Sequence, residues 1–286
     1  MRNDYILYEK PLFPDQNFPV RISRVLSAVP GPVFQGHWHE EFEFLFFVKG
    51  DALVGCGSKQ YPVGAGDLII VNSNELHSAQ NLGAELAYYC VIVDPVILQS
   101  SIADICEVKY LAPIKQNRIL FSNKITEDAH ITECINSLIA ENETRGIGYE
   151  LSVKSLIYKL LVLLLRHHVV TVLDPREYTL RTKRMQLLNT VLTHIENNYM
   201  NTLLAKDLAR LVNISEYYFC HLFKEATGKP LSEYVNSVRV AKAELLLRTT
   251  DMSVTEVALS TGFNDPNYFS RIYRKIKKEP PSAARK

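Results

Sequence analysis

The chain changes its hydrophobic period twice. From residue 1 to about 100, short apolar segments such as Phe42 to Val48, Leu68 to Val71 and Leu86 to Val93 alternate with turn residues, among them Pro11, Pro14, Pro19, Pro30-Gly31-Pro32, Gly50-Asp51, Gly64 to Gly66 and Asn72 to Asn74. These segments are rich in β-branched and aromatic residues and too short for helices, which predicts strands closed into an all-β barrel or jelly roll. From about Thr126 the period becomes helical. Ile131, Cys134, Ile135, Leu138 and Ile139 form one stripe, and Leu156, Ile157, Leu160, Leu161, Leu163, Leu164 and Leu165 a broader one. That is more apolar surface than one subunit needs beside a barrel, so it predicts a homodimer seam; the alternative is that both helices cover the barrel of their own chain. Residues 170–181, with Asp174-Pro175-Arg176, break the pattern and read as an interdomain linker.

Beyond it the helical period returns as a repeat. A helix from Thr182 to Asn198 precedes two copies of one device, a short helix, a tight turn and a second helix with an aromatic inner face, joined by a long helix from Leu231 to Leu247. Ala209 and Ala258, Asn213 and Gly262, and Ile214 and Phe263 are each 49 apart, whereas Phe219 and Phe269, His221 and Arg271, and Phe223 and Tyr273 are each 50 apart. The small alanines let the second helix cross closely over the first. Asn213 and Gly262 suit the positive φ of the turn, and Ser215 and Asp265 (or Asn264) suit the N-caps. Tyr218, Phe219, Leu222 and Phe223, and again Tyr268, Phe269, Ile272 and Tyr273, give each second helix a core face.

Two such units in register, with Thr227-Gly228-Lys229-Pro230, Arg-x-x-x-Ala-x-x-Leu-Leu from Arg239 to Leu247 and Gly-Phe-x-x-x-x-Tyr-Phe-x-Arg from Gly262 to Arg271, resemble the DNA-binding domain of the AraC/XylS family of bacterial transcription regulators. The pattern departs at the end: Lys277-Lys278 stands where a Phe-Gly pair is usual, and Ala284 where an aromatic is common. The resemblance implies a ligand-responsive regulator, activator or repressor, that binds double-stranded promoter or operator DNA, contacts RNA polymerase, and takes a small-molecule effector, most commonly a sugar or sugar derivative, with fatty acids, aromatic acids and bile-type molecules also open. It implies no enzymatic activity.

The faces left polar supply the DNA contacts this reading expects. Tyr217, Cys220 and His221 in copy one, and Asn267, Ser270 and Arg271 in copy two, are the base-contact candidates, with Arg271 suited to guanine and Asn267 to adenine. Ser215, Lys224, Arg239, Lys242, Arg274 and Lys275 are the phosphate-contact candidates. If both second helices enter successive major-groove faces they must sit about 34 Å apart, and tandem units in one chain read an asymmetric site.

Charge agrees with that division. The chain carries a net +1, but residues from 181 onward hold 17 Lys and Arg against 10 Asp and Glu, while residues 1–180 hold 15 against 21. The basic part is the part with the paired units, as phosphate neutralisation requires. Five cysteines without C-x-x-C spacing suit a reducing cytoplasm, and the opening Arg-Asn-Asp-Tyr is unlike a signal peptide.

A second constellation lies among the strands. Gly31, five residues, His37-Trp38-His39, three residues, Glu43, six residues and Gly50 fit the first cupin motif, and Gly66 with His77 and Asn81 fits the second apart from Asn72 and Asn74. The strand period places His37, His39 and Glu43 on one face, with His77 brought opposite by a return strand. Three imidazoles and a carboxylate are a ligand set for a divalent metal, here an optional cofactor, while the same face could instead line an effector pocket. Arg21 and Arg24 have opposite parity on the first strand, so one of them faces that pocket, where it would suit a hydroxyl-rich or carboxylate-bearing ligand. Trp38 points the other way.

The expected architecture is therefore α+β in two domains: a cupin-like effector-binding barrel over residues 1–125, a helical dimerisation hairpin over 126–169, a linker over 170–181, and an all-α tandem helix-turn-helix domain over 182–286. A rival reading is a metal-dependent cupin enzyme tethered to DNA by its tail.

Overall fold

A computed structural model describes residues 9–99 and 104–284, so Arg2 to Tyr5 and Arg285 lie outside the described residues. The chain divides into two compact units, one from Glu9 to Thr182 and one beginning at Lys183.

The first unit is built on strands β1 (Val20–Ser27), β2 (Gly31–His37), β3 (Phe42–Lys49), β4 (Ala52–Cys56), β5 (Lys59–Val63), β6 (Leu68–Val71), β7 (His77–Asn81), β8 (Leu86–Val93), β9 (Ile119–Phe121), β10 (Lys124–Ile125) and β11 (Val169–Val172). One antiparallel sheet runs β1-β8-β3-β6-β10, a second β2-β7-β4-β5, and β9 pairs with β11. From β3 to β8 the chain crosses between the two larger sheets at every connection except the β4–β5 hairpin. Strand β3 explains why its sequence shows no alternation: Phe42, Phe44 and Phe46 enter one buried cluster, Leu45 and Phe47 another. A strand covered on both faces is apolar throughout. The tight turn after β3 needs Gly50, at φ 80°, because a Cβ there would lie 2.0 Å from the Glu85 carbonyl oxygen.

The helical segment supplies the cover for one face. After a short α1 (Ala112–Lys115), α2 (Ala129–Thr144) and α3 (Tyr149–His167) bury Ile131, Cys134, Ile135, Leu138, Ile139, Ile157, Leu160, Leu161 and Leu164 in the same cluster as Phe42, Phe44, Phe46, Leu68 and Ile70. Leu156, Leu163 and Leu165 pack partly against it. The stripe expected to form a dimer seam thus covers the sheet of its own chain. The outer face of that five-stranded sheet is itself apolar and must be hidden from water, and these stripes are its cover.

The expected linker is also mostly ordered. Val169–Val172 is strand β11, and α4 (Pro175–Asn198) begins at the Asp-Pro pair that resembled a breaker. Asp174 accepts from the backbone N–H of Arg176 at 2.7 Å and of Glu177 at 2.9 Å, while Glu177 accepts from the N–H of Asp174 at 2.9 Å. Asp at the cap followed by Pro at the first helical position starts a helix.

The second unit carries α5 (Ala205–Leu211), α6 (Glu216–Thr227), α7 (Leu231–Thr249), α8 (Val254–Ser260) and α9 (Pro266–Lys277). The two helix-turn-helix copies close their turns identically: Ile214 N–H donates to the Ala209 carbonyl and Phe263 N–H to the Ala258 carbonyl, both at 3.0 Å. Asn213 sits at φ 54° and Gly262 at φ 87°. Ser215 caps α6, and Asp265 rather than Asn264 caps α9. Tyr218 and Tyr268 depart from the expected core face. Both are partly exposed at 37%, with their hydroxyls accepting from Arg184 Nε and Asn236 Nδ2 respectively, each at 3.1 Å.

The unusual C-terminal sequence packs. Ala284 is buried beside Phe269 and Tyr273, and Lys278 takes, at φ 64°, the left-handed cap position that Gly228 takes after α6 at φ 70°. A lysine in that conformation costs about 1 kcal/mol relative to glycine. Lys278→Gly is therefore expected to raise the stability of this unit by about 1 kcal/mol in denaturant titration, with no change of fold; an unchanged or lower midpoint contradicts the strain.

Candidate functional site

The polar cluster of the first unit sits between its two sheets. His37 ends β2 and His77 begins β7, directly paired across neighbouring strands, with ring centroids 4.2 Å apart. Glu43 lies on β3 in the facing sheet, and His39 lies in the link between β2 and β3. The expectation that one strand face carries His37, His39 and Glu43 is corrected here: the chain crosses from one sheet to the other between residues 37 and 42, so the donors converge from both sheets.

Glu43 is the hub. Its Oε2 is 3.1 Å from His39 Nε2 and 2.8 Å from His77 Nε2, and its Oε1 accepts from the Cys90 thiol at 2.9 Å. Exposure is 1% for His39 and His77 and 4% for Glu43, so these contacts are dry. Burial pushes the Glu43 carboxyl up, but the His39 and His77 contacts outweigh it and hold the group well below the usual carboxylate range. Burial and the adjacent His77 push His37 down to about 3, leaving that ring neutral at pH 7. One ligand-capable atom from each of the four residues lies within 4.8 Å of the others.

The arginine question resolves by register. Arg21 pairs with Ile92, which pairs with Glu43, so the three form one row on the face turned toward the second sheet. Arg21 also donates to the Leu12 carbonyl, at 3.4 Å. Arg24 pairs with Tyr89 on the opposite face and is exposed, so it does not reach the cluster. Trp38 is buried. Asn72 does not line the cluster either; it exchanges hydrogen bonds with the backbone of Phe121, Nδ2 to the carbonyl at 3.1 Å and N–H to Oδ1 at 2.9 Å.

Two neighbours escaped the sequence reading. Cys90 reaches Glu43 because Leu45 opposes it in the β3–β8 register, which makes Glu43 its diagonal neighbour. Glu9 Oε2 stands 3.5 Å from His37 Nε2. Neither adjacency leaves a local signal, since both depend on which strands pair.

In the second unit the outer face of each second helix is open. Tyr217 is 85% exposed, and Cys220, His221, Lys224, Asn267, Arg271, Arg274 and Lys275 are all exposed, whereas Ser270 is partly buried and donates to the Pro266 carbonyl at 2.9 Å. The Arg271 guanidinium stands 5.4 Å from the centre of the Tyr268 ring, which holds it in place without consuming its donors. Arg184, from α4, adds a cation beside α6 that the repeat pattern could not indicate.

Two phosphate candidates belong elsewhere. Arg239 donates Nε to the Tyr199 carbonyl at 2.7 Å and Nη2 to the Asn201 carbonyl at 2.8 Å, and Lys242 pairs with Glu196 at 3.3 Å. Both cations face inward from α7: Arg239 secures the chain just after α4, where backbone carbonyls past the helix end need donors, and Lys242 neutralises a carboxylate on the last turns of α4 itself.

Comparison with known proteins follows the same division. Residues 22–161 match the AraC-like ligand binding domain and residues 208–286 the helix-turn-helix domain. The chain is 25% identical over 255 residues to the uncharacterized HTH-type transcriptional regulator YdeC of Bacillus subtilis strain 168, covering 87% of this chain and 85% of that one. It is 24% identical over 284 residues to the HTH-type transcriptional activator RhaR of Salmonella dublin, covering 99% and 96%. Among solved structures, unsaturated fatty acid bound wild-type ToxT from Vibrio cholerae strain SCE256 aligns with a TM-score of 0.47 at 12% identity, covering 92% and 93%. The matched families and named relatives are those of regulators, not enzymes.

The inward placement of Arg239 has a measurable consequence. Arg239→Ala is expected to lower stability by about 2 kcal/mol, since it strips charged donors from two carbonyls, and to leave the salt dependence of DNA binding unchanged. Lys275→Ala is expected to do the reverse, leaving the melting temperature alone and reducing the log–log salt slope by about 0.9. Equal slopes for wild type and Lys275→Ala would remove Lys275 from the phosphate contacts.

Proposed function

From the premise that the chain belongs to the AraC-type transcription regulators, we propose that it is a cytoplasmic regulator in which a small molecule bound between the sheets of the first unit governs how α6 and α9 engage promoter DNA. The observation that carries this reading is the exposed, cation-bearing outer face of α9, with Arg271 stacked on Tyr268 and Asn267 beside the helix start.

In this reading α9 makes the discriminating contacts. Arg271 offers the planar fork that fits guanine O6 and N7, and Asn267 the amide that fits adenine. Helix α6 presents Tyr217, Cys220 and His221, which favour apolar and shape contacts over bidentate hydrogen bonds. Ser215, Lys224, Arg274 and Lys275 hold phosphates and so set register without reading sequence.

The effector end of the proposal uses Arg21, His37, His39, Glu43 and His77. Arg21 supplies a charged fork to a carboxylate or a hydroxyl pair, and His37 is the member of the cluster with side-chain access to solvent, at 14%. A sugar or sugar derivative is the effector we assign to that donor-rich wall. The reading also carries a homodimer and contact with RNA polymerase, which sedimentation and reconstituted transcription test.

Selection of binding sites from random DNA, followed by Arg271→Ala, checks the DNA end. The variant is expected to lose about 1–3 kcal/mol at one base-pair position and to relax preference there alone. Uniform weakening on all sequences would sink the guanine assignment. Native mass spectrometry of the purified chain checks the other end: a co-purified mass of carbohydrate size, displaced in Arg21→Ala, is expected, and a retained hydrophobic ligand would replace the sugar assignment.

A further inference from the structure

Three imidazoles and one carboxylate between the sheets present lone pairs to a common point. The Nδ1 of His37 lies 2.9 Å from the Gln35 carbonyl oxygen, that of His39 3.2 Å from the Glu41 carbonyl oxygen, and that of His77 2.8 Å from the Glu75 carbonyl oxygen. A carbonyl oxygen only accepts, so each Nδ1 carries the hydrogen and each neutral ring keeps its lone pair on Nε2. Yet the Nε2 atoms of His39 and His77 stand 3.1 Å and 2.8 Å from the same carboxylate oxygen, and His77 Nε2 has no partner in hydrogen-bond geometry. Lone pairs facing lone pairs in a dry interior are costly unless a cation lies among them. Protons on His39 and His77 bridge those two contacts to Glu43 and leave the lone pair of the neutral His37 unused. A divalent ion serves all four donors at once.

We propose that this cluster is a binding site for a divalent first-row transition ion of the zinc, cobalt or iron(II) type, held by His37, His39, His77 and the Oε2 of Glu43. Imidazole-rich sets with one carboxylate prefer such ions over calcium or magnesium. A tetrahedral ion with bonds of about 2.1 Å separates its donors by about 3.4 Å; the two contacts to Glu43 measure 3.1 Å and 2.8 Å and all four donors lie within 4.8 Å of one another, a range that small side-chain shifts bring to that value. The surroundings match an outer shell: every imidazole donates its other N–H to a backbone carbonyl, and the Cys90 thiol occupies Oε1, leaving Oε2 for the ion. Four protein donors complete a tetrahedron, the arrangement of a structural site rather than a catalytic one that keeps a position open; with the ion in place these four residues shape the effector wall through the ion, and Arg21 is the side chain that meets the effector directly.

The role follows from where the donors stand. His37 and His77 belong to the β2-β7-β4-β5 sheet and Glu43 to the β1-β8-β3-β6-β10 sheet, so the ion clamps the two sheets and thereby sets the spacing of the wall that carries Arg21. This role rests on the reading of the first unit as the sensory domain; the binding site itself does not.

The test uses the full-length chain, stripped with chelator and titrated with cobalt(II) and zinc(II). Stoichiometric uptake, a visible cobalt ligand-field band of tetrahedral strength and a rise in melting temperature are expected. Glu43→Gln and His77→Gln are expected to abolish the band. Cys90→Ala, which leaves all four ligands in place, is expected to weaken affinity about 10- to 100-fold, and His37→Gln, at the solvent side, provides a second ligand variant that keeps the buried core intact. Folded protein, by circular dichroism, that takes up neither ion stoichiometrically overturns the proposal, as does a band that survives both His37→Gln and His77→Gln. Operator binding measured on the same samples separates the two readings. Sequence-specific DNA binding by protein that takes up no metal removes the ion alone, whereas metal-loaded, folded protein that binds no DNA specifically removes the regulator reading and leaves the site.

Discussion

Strand β3 has no solvent side, and the first unit is arranged around that constraint. A strand whose residues 42 to 47 are all buried needs cover on two faces, so α2 and α3 lie on one and the second sheet on the other. The same constraint makes Glu43 the focus of the interior. A lone carboxylate in an otherwise apolar run is expensive to bury unless opposite charge or donors surround it. Cys90 donates to it from the neighbouring strand, and His39 and His77 face it from a loop and the opposite sheet, as protonated donors or as co-ligands of a shared cation. The polar cluster is thus not a decoration on a finished core; it is the condition under which that core can contain a charge.

The second unit rests on a different economy, the repeated use of one left-handed residue per turn. Asn213 and Gly262 each reverse the chain so that a residue just beyond returns its N–H to a buried alanine's carbonyl. Glycine is required at the second site for a reason absent from the first: a Cβ on Gly262 would come within 2.6 Å of the Met200 carbonyl oxygen. The frames are alike, but the outer faces are not. The place of His221 in copy one is taken by Arg271 in copy two, where an aromatic ring below it fixes the guanidinium. Conserving the frame while exchanging the outer residues lets one chain present two different surfaces to one DNA.

What was legible in the sequence was what is local. Caps, positive-φ turns, the tandem spacing and the short strands are written within a few residues of where they act, and Ser215, Asp265, Asn213 and Gly262 fall where their chemistry placed them. The helical stripes were also legible as buried faces, but a stripe does not name what covers it, and the sheet of the same chain does so here. Residue type misled where it was read without its neighbours. Arg239 and Lys242 are cations on a DNA-binding unit, yet one is spent on the chain that follows α4 and the other on a carboxylate of α4 itself. Asp174-Pro175 resembles a break and is a helix start. Arg184, Cys90 and Glu9 reach functional groups only through pairings that span the fold.

The geometry of the cluster also bears on how a sensory unit can signal at all. A ligand shifts an equilibrium only by the difference in its affinity for the two states. Donors carried on one rigid sheet would keep their spacing in either state and would bind a ligand equally in both. Donors shared between facing sheets behave otherwise, because sliding or parting the sheets changes the separation of His37 and His77 from Glu43 while leaving the spacing within each sheet alone. Close-packed interiors such as this one move between discrete arrangements rather than deforming smoothly. With an ion bound as proposed above, the convergence of His37, His39 and His77 on Glu43 from both sheets would tie the binding energy of the first unit to its internal state, and sensitivity of that kind is what a sensor requires.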